Sequence, residues 1–456
     1  MFSSRKIIIL RNMSFAEVVS QISKIIWSAP LIVLLIFAGL FFTVGTRFVQ
    51  VRHFKDMLKS LFAVKAGQGK GISSFQAFCM ALSGRIGTGN IVGVATAIAI
   101  GGPGSVFWMW LIAFFGAATA FMESSLAQKY KYQHESGFRG GPFAYIESGL
   151  KQKWMGICFA VAGVVGYGVL LVTVQANGIG SSMSNAFSVP PLYAGIGLAV
   201  ILAIVIFGGV KSISRVCSII TPFMALGYII ISLIVIGHNI GAVPGVFKQI
   251  FEGAFGIGAI GGGALGTTIM MGVKRGIFSN EAGQGNGAIV SASADVSHPA
   301  KQGFAQSFSV YVDTLFVCTA TALMILIAAP QDMGTNFAGY TQAAIDTVFP
   351  GFGSAFVSIA MVFFVYTTVM AYYYYAESSL LFLIRKHEGT TLEKVLINVL
   401  RVALLAAAIM GTVYESTVTW DLGDIAVGLQ AWVNVIALLL LSKQGFKILR
   451  DYEQGA

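Results

Sequence analysis

Charge is scarce in this chain: 11% of its 456 residues are Asp, Glu, Lys or Arg, against 56% hydrophobic side chains and a mean hydropathy of +0.79. So small a polar complement cannot clothe a soluble globule, and the chain belongs in lipid. Histidine is as rare. His53, His134, His238, His298 and His387 all fall between apolar runs, which leaves no cluster of catalytic or metal-binding imidazoles at midplane and argues against a membrane enzyme. Cys79, Cys158, Cys217 and Cys318 have neither CxxC nor CxxxC spacing and read as packed free thiols. Low-complexity segments are absent, and so is a signal-peptide core, because the apolar patch 7–10 is too short. Residues 1–28 are expected to form a tail in which 13–26 lies as an amphipathic helix in the membrane plane.

What the chain has in quantity is apolar runs. A spanning helix needs about 20 mostly apolar residues, and such runs occur at 29–46, 73–100, 104–128, 154–180, 190–208, 216–237, 254–273, 304–329, 352–384, 395–412 and 424–442. The expectation is an all-α polytopic fold with about eleven spans. Placing the 47–72 connection in the cytoplasm puts 23 of the 29 Lys and Arg on that side, including Lys274 and Arg275 in a connection. Asp332, Asp346, Glu415, Asp421 and Asp424 fall on the other. The positive-inside rule therefore places the C-terminus, 443–456, in the cytoplasm. The net charge of +10 is a solvated cytoplasmic face rather than a nucleic-acid surface.

Eleven runs divide as a peripheral helix, 29–46, and two sets of five, 73–237 and 254–442. The first run of each set is interrupted by glycine. One contains Gly84, Gly87, Gly89 and Gly93; the other contains Gly256, Gly258, Gly261, Gly262, Gly263 and Gly266. Each glycine costs a helix interior about 1 kcal/mol relative to alanine, so unwinding there is cheap. Paired interruptions point to a midplane binding site, where freed N–H groups suit a carboxylate and freed carbonyls a small hard cation. Tight helix packing is the other reading of the same glycines. The run Gly87-Thr88-Gly89-Asn90-Ile91 is not a dinucleotide loop, since it lacks the third glycine and follows no strand.

That run, with Gly101-Gly102-Pro103-Gly104, Gly140-Gly141-Pro142, Val174-Gln175-Ala176-Asn177 and above all Arg275-Gly276-Ile277-Phe278-Ser279-Asn280-Glu281-Ala282-Gly283, resembles the alanine or glycine:cation symporter family over about 29–445. The resemblance implies a leucine-transporter-type fold with two inverted five-helix repeats. It also implies a bacterial inner-membrane symporter, functional as a monomer among lipid, that couples sodium, and in some members protons, to uptake of a small neutral amino acid. No cofactor is implied beyond sodium as coupling ion.

Carried onto this sequence, the resemblance assigns the substrate to Thr88, Gly89, Gln175, the backbone of Gly261, Gly262 and Gly263, Thr368 and Tyr372. Sodium falls to Asn90 and, separately, to Ser83, Ile86, Thr367 and Thr368. The two threonines also have the option of bonding back to their own helix. Many members carry tryptophan where Tyr372 stands, which leaves serine and glutamine open beside alanine and glycine. Arg85, in mid-span, needs a carboxylate or a wet cavity, and Glu123, Asp313 and Glu377 are its candidate partners. It reads as a gate, a support for the unwound segment or a static pair. Arg275, Asn280 and Glu281 read as gating or structural residues, with Glu281 pairing with Arg275 or capping nearby amides.

Overall fold

The computed structural model describes residues 14–63, 71–256, 262–329, 334 and 336–455, and among them it is helical apart from one hairpin and the connections. Ser14 and Glu17 form a capping box at the head of α1 (Phe15–Ile26), which bends by 41° into α2 (Ala29–Gly45). After the short amphipathic α3 (Phe54–Leu61), Ser73 and Gln76 cap α4 (Ser74–Arg85) in the same way. The helix stops at Ile86 and resumes as a π-helical turn, Gly89–Gly93, continuing into α5 (Val94–Gly101).

The chain runs back through α6 (Ser105–Lys129) to a two-stranded antiparallel hairpin, β1 (Tyr132–His134) and β2 (Gly137–Arg139), in which Tyr132 opposes Arg139. There follow α7 (Pro142–Leu150) and a long helix made of α8 (Lys153–Val165), a π turn at Gly166–Leu170 and α9 (Leu171–Phe187). Then come α10 (Pro191–Ile206), α11 (Gly209–His238) and α12 (Val243–Ala254). Proline at the first turn of α2, α7, α10 and α12 sits where its missing N–H costs nothing.

The remainder comprises α13 (Gly262–Asn280), α14 (Asn286–Ala292), α15 (Pro299–Val310), a π stretch at Tyr311–Cys318, α16 (Thr319–Ala328), α17 (Phe337–Asp346), α18 (Gly353–Leu383), α19 (Thr391–Val413), α20 (Ser416–Leu440) and α21 (Ser442–Glu453). The polarity of the bundle is that of a protein in lipid: Phe223, Ile204 and Val33 are exposed, while Arg85, Glu123, Gln175 and Asp313 are buried. Among the described residues seven helices are long and apolar enough to cross a membrane, or eight if the bent α1 and α2 pair is one span. The apolar run 190–208 becomes a helix of 16 residues, shorter than that criterion.

Three expectations are corrected. The interruption expected at 256–268 falls partly outside the described residues, and from Gly262 onward the backbone is regular helix. The break within the described part of this half lies at 281–285, where Glu281, Gly283 and Gly285 have φ of +57°, +87° and +91° and cannot continue a right-handed helix. Lys274 and Arg275 stand inside α13 rather than in a connection, both paired with Asp424 of α20 at 2.5 and 2.9 Å. Finally, Cys158 is exposed on α8, whereas Cys79, Cys217 and Cys318 are buried.

Candidate functional site

The gap between α4 and the π turn is where polar side chains from four elements converge. The N–H of Thr88 donates to Gln175 Oε1 of α9 at 2.9 Å, and the N–H of Gly87 donates to Asn90 Oδ1 at 2.8 Å. Backbone donors freed by the break are thus satisfied by neutral side-chain oxygens, as burial demands. Gly87 itself allows the approach: a Cβ there would lie 2.6 Å from Gln175 Oε1 and 2.7 Å from Thr368 Oγ1. Thr88, Gln175, Thr368 and Tyr372 are all buried, with at most 2% of any of them exposed.

Thr368 separates itself from Thr367 at this point. Its hydroxyl lies 2.8 Å from the Ser83 carbonyl, 3.1 Å from that of Ile86 and 2.8 Å from that of Phe364. One hydroxyl proton serves one acceptor at a time, so the cluster holds surplus carbonyl oxygen, the donor set a small hard cation takes. Thr367 bonds back to Phe363 and Phe364 of its own helix and faces Met224 instead. Ser83 contributes its carbonyl, while its hydroxyl donates to Cys79 O.

Gly89 faces the other end of the arrangement. A Cβ on it would lie 3.2 Å from Phe278 Cδ1 and 3.4 Å from Ser279 Cα, so the last turn of α13 abuts the first break. Gly262 and Gly263 begin that helix, roughly 24 Å away at 1.5 Å per residue. The structure does not bring them to this site, and Gly261 lies outside the described residues. Tyr372 reaches toward both Gln175 and Glu281 and packs near the rings of Tyr167 and Tyr375, at 6.1 and 5.9 Å between centroids.

Asp313 of the π stretch joins the two breaks, a role its sequence position does not reveal. It accepts from Asn90 Nδ2 at 2.6 Å, from Ser279 Oγ at 2.9 Å and from Thr314 Oγ1 at 2.7 Å. The π geometry is the signal that helices are distorted around a site, and it is visible only in three dimensions.

Arg85 finds none of its three candidate partners within ion-pair reach. Its guanidinium donates to the Asn280 carbonyl at 2.6 Å, to Gln306 Oε1 at 2.9 Å and to Ser309. Glu377 pairs instead with Arg139 of β2 at 2.8 Å, and Glu123 accepts from Asn434 at 3.0 Å. Neither does Glu281 pair with Arg275, which grips Asp424 through both guanidinium nitrogens at 3.1 and 2.9 Å. That pair lies under Trp420, whose ring is 4.5 Å from the guanidinium carbon and 4.9 Å from Phe278. Asn280 supplies its carbonyl to Arg85 and its Oδ1 to the Ala282 amide, so it shapes the second break from within.

Comparison with known proteins agrees with this architecture. The fold is that of leucine-transporter-type proteins: a crystal structure of MhsT in complex with L-phenylalanine superposes with a TM-score of 0.57 at 14% identity, covering 84% of this chain and 99% of that one. A Bacillus sp. (strain PS3) protein named "Sodium/proton-dependent alanine carrier protein" is 47% identical over 84% of this chain and 88% of its own. A Bacillus subtilis (strain 168) protein named "Probable sodium/glutamine symporter GlnT" is 43% identical over 96% of this chain and 90% of its own. The sequence profile of the sodium:alanine symporter family matches residues 12–456. With a profile match over nearly its whole length, this multi-pass membrane chain belongs to the sodium:alanine symporter family.

Proposed function

We propose that the chain is a sodium-coupled symporter that imports a small neutral amino acid, alanine or glycine, across the bacterial cytoplasmic membrane by alternating access. The observation that carries this is the meeting of a broken helix with an oxygen cluster: Thr368 stands against the Ser83 and Ile86 carbonyls while Thr88 and Gln175 meet one turn away. In this reading sodium sits among Ser83, Ile86 and Thr368, with a second position at Asn90. The zwitterion lies against Thr88 and Gly89, with Gln175 and Tyr372 as walls. Two charged ends at midplane must both be satisfied, so recognition is dominated by the polar part and size is judged by the remaining wall.

The working unit is a monomer with eleven spans in two inverted repeats and its C-terminus in the cytoplasm. Arg275 and Asp424 form a closure between α13 and α20 that must part or move as a unit during the cycle. Tyr372 favours a second reading on specificity: its hydroxyl faces Gln175, which offers a polar side chain a partner, and a relative carries a glutamine name. Uptake of labelled alanine by proteoliposomes, competed by glycine, serine, glutamine and leucine, tests both. Competition by glycine with none by leucine is expected; dominance of glutamine selects the second reading, and strong competition by leucine without glycine refutes the small pocket.

A further inference from the structure

Around the two helix breaks the bundle buries four ionisable residues whose charges do not balance. Arg85 is the cation; Glu123, Glu281 and Asp313 are the carboxylates, and none of the four is more than 2% exposed. Fully ionised, the set carries two negative charges in excess. An uncompensated ion in such an interior costs several kcal/mol even after relaxation, so the excess is relieved by bound cations or by protons.

The hydrogen bonds rank the three carboxylates. Asp313 accepts from Asn90, Ser279 and Thr314, three donors that favour its ionised form. Glu123 accepts from Asn434 and faces the backbone amides of Gly283 and Gly285. Glu281 is the poorest served: Tyr372 and Asn286 flank its carboxyl, yet both of its oxygens are without a hydrogen bond of proper geometry. It is 1% exposed and sits at the second break. The groups facing it are Arg85 of α4, Glu123 of α6, Tyr167 of the π turn between α8 and α9, Asn286 of α14, Asp313 of the π stretch at Tyr311–Cys318, and Tyr372 and Tyr375 of α18. The one cation among them spends its Nε and Nη1 on Asn280, Gln306 and Ser309 and makes no ion pair with Glu281.

We propose that Glu281 is a proton-binding site of the transport cycle, separate from the oxygen cluster at Thr368, and that its protonation is linked to substrate binding. The proton comes from water on the outer side and forms the O–H bond of a neutral carboxylic acid. On the cytoplasmic side that bond breaks, the proton returns to water and the carboxylate is left behind. A neutral Glu281 becomes a donor, and the acceptor beside it is the Tyr372 hydroxyl. From Tyr372 the contacts run to Gln175 and on to the N–H of Thr88. The state of one carboxyl at the second break is thereby conveyed to the substrate-facing backbone at the first.

The inference rests on the symport reading above, and the experiment separates the two. The full chain is reconstituted in proteoliposomes containing a pH-sensitive dye, with sodium equal on both sides, and alanine is added outside. Acidification of the lumen is expected with the wild type and with Glu281→Asp, and its loss with Glu281→Gln. Apparent alanine affinity in the wild type should change by about tenfold per pH unit where one proton is linked to binding, and by less than about twofold over the same range in Glu281→Gln. Acidification that persists in Glu281→Gln, or that is lost in Glu123→Gln while Glu281→Gln keeps it, overturns the assignment. If Glu281→Gln does not fold, an unshifted pH profile in Glu281→Asp overturns it instead. Wild-type alanine entry without acidification at any pH also overturns it, and sodium-driven uptake in that same protein leaves the symport reading standing. Absence of sodium-driven uptake removes the reading beneath.

Discussion

Replacing Thr368 by valine keeps the shape of the side chain and deletes its hydroxyl. The hydroxyl stands against three carbonyl oxygens, those of Ser83, Ile86 and Phe364, at 2.8, 3.1 and 2.8 Å. Two of them belong to the end of a broken helix and have lost their helical partners. If a sodium ion uses this cluster, the variant loses one of its oxygen ligands and puts a methyl group in its place. Hydrogen bonds to charged groups contribute about 1.5–3 kcal/mol, and a ligand lost to a bare cation is of the same order. At about 1.4 kcal/mol per decade, half-saturation by sodium should rise by about 10-fold to 100-fold. Thr367→Val is the internal control, because that hydroxyl is spent on its own helix at 3.0 and 3.1 Å; its sodium activation should stay within about twofold of wild type. Initial rates of labelled alanine uptake against external sodium, at constant ionic strength, measure both. Equal shifts in the two variants, or an unmoved curve in Thr368→Val, would refute the reasoning.

Other consequences follow from the same geometry. Gln175→Leu leaves the buried Thr88 amide without its acceptor, a loss of about 1–3 kcal/mol, and should raise the KM for alanine by about 10-fold or more with a smaller change in sodium activation. Asp424→Leu strands both Lys274 and Arg275 and should lower the melting temperature in detergent well below that of Arg275→Met, which leaves Lys274 and Asp424 paired, since an uncompensated buried charge costs several kcal/mol; equal destabilisation in both would contradict this. Gly283→Ala puts a side chain at φ +87°, with Val435 Cγ2 3.2 Å from the new Cβ, and should cost about 1–2 kcal/mol by thermal unfolding. A cysteine labelled in intact cells at the C-terminal end would sink the proposed orientation; protection there is expected.

The first break was legible because four glycines stand within ten residues of an otherwise apolar run, from Gly84 to Gly93. The interruption expected at 256–266 lies partly outside the described residues; Gly256 before it has a φ of +67°, but regular helix begins at Gly262, so dense glycine there does not mark the break found at 281–285. What ends α13 is a short run, Glu281 to Gly285, whose left-handed conformations depend on tertiary support. The apolar run ends at 273 and so leaves Lys274 and Arg275 in a connection; their partner Asp424 lies about 150 residues away, beyond any local pattern. Thr367 and Thr368 are adjacent in sequence but about 100° apart around a helix, so only the register of α18 against α4 decides which one meets the Ser83 carbonyl. The sequence singles out Asp313 only as a candidate partner of Arg85; its role in joining the two breaks stayed hidden for a similar reason, since its three donors come from the broken helix, from α13 and from its own π stretch.

The central claim is obligatory coupling of an amino acid to sodium at one site, and reciprocal flux tests it most directly. Proteoliposomes holding the purified chain, with labelled sodium at equal concentration on both sides, are given an inward alanine gradient. The account predicts net sodium entry that follows alanine entry, scales with it and is weakened in Thr368→Val. Alanine entering at full rate with no movement of sodium would contradict it.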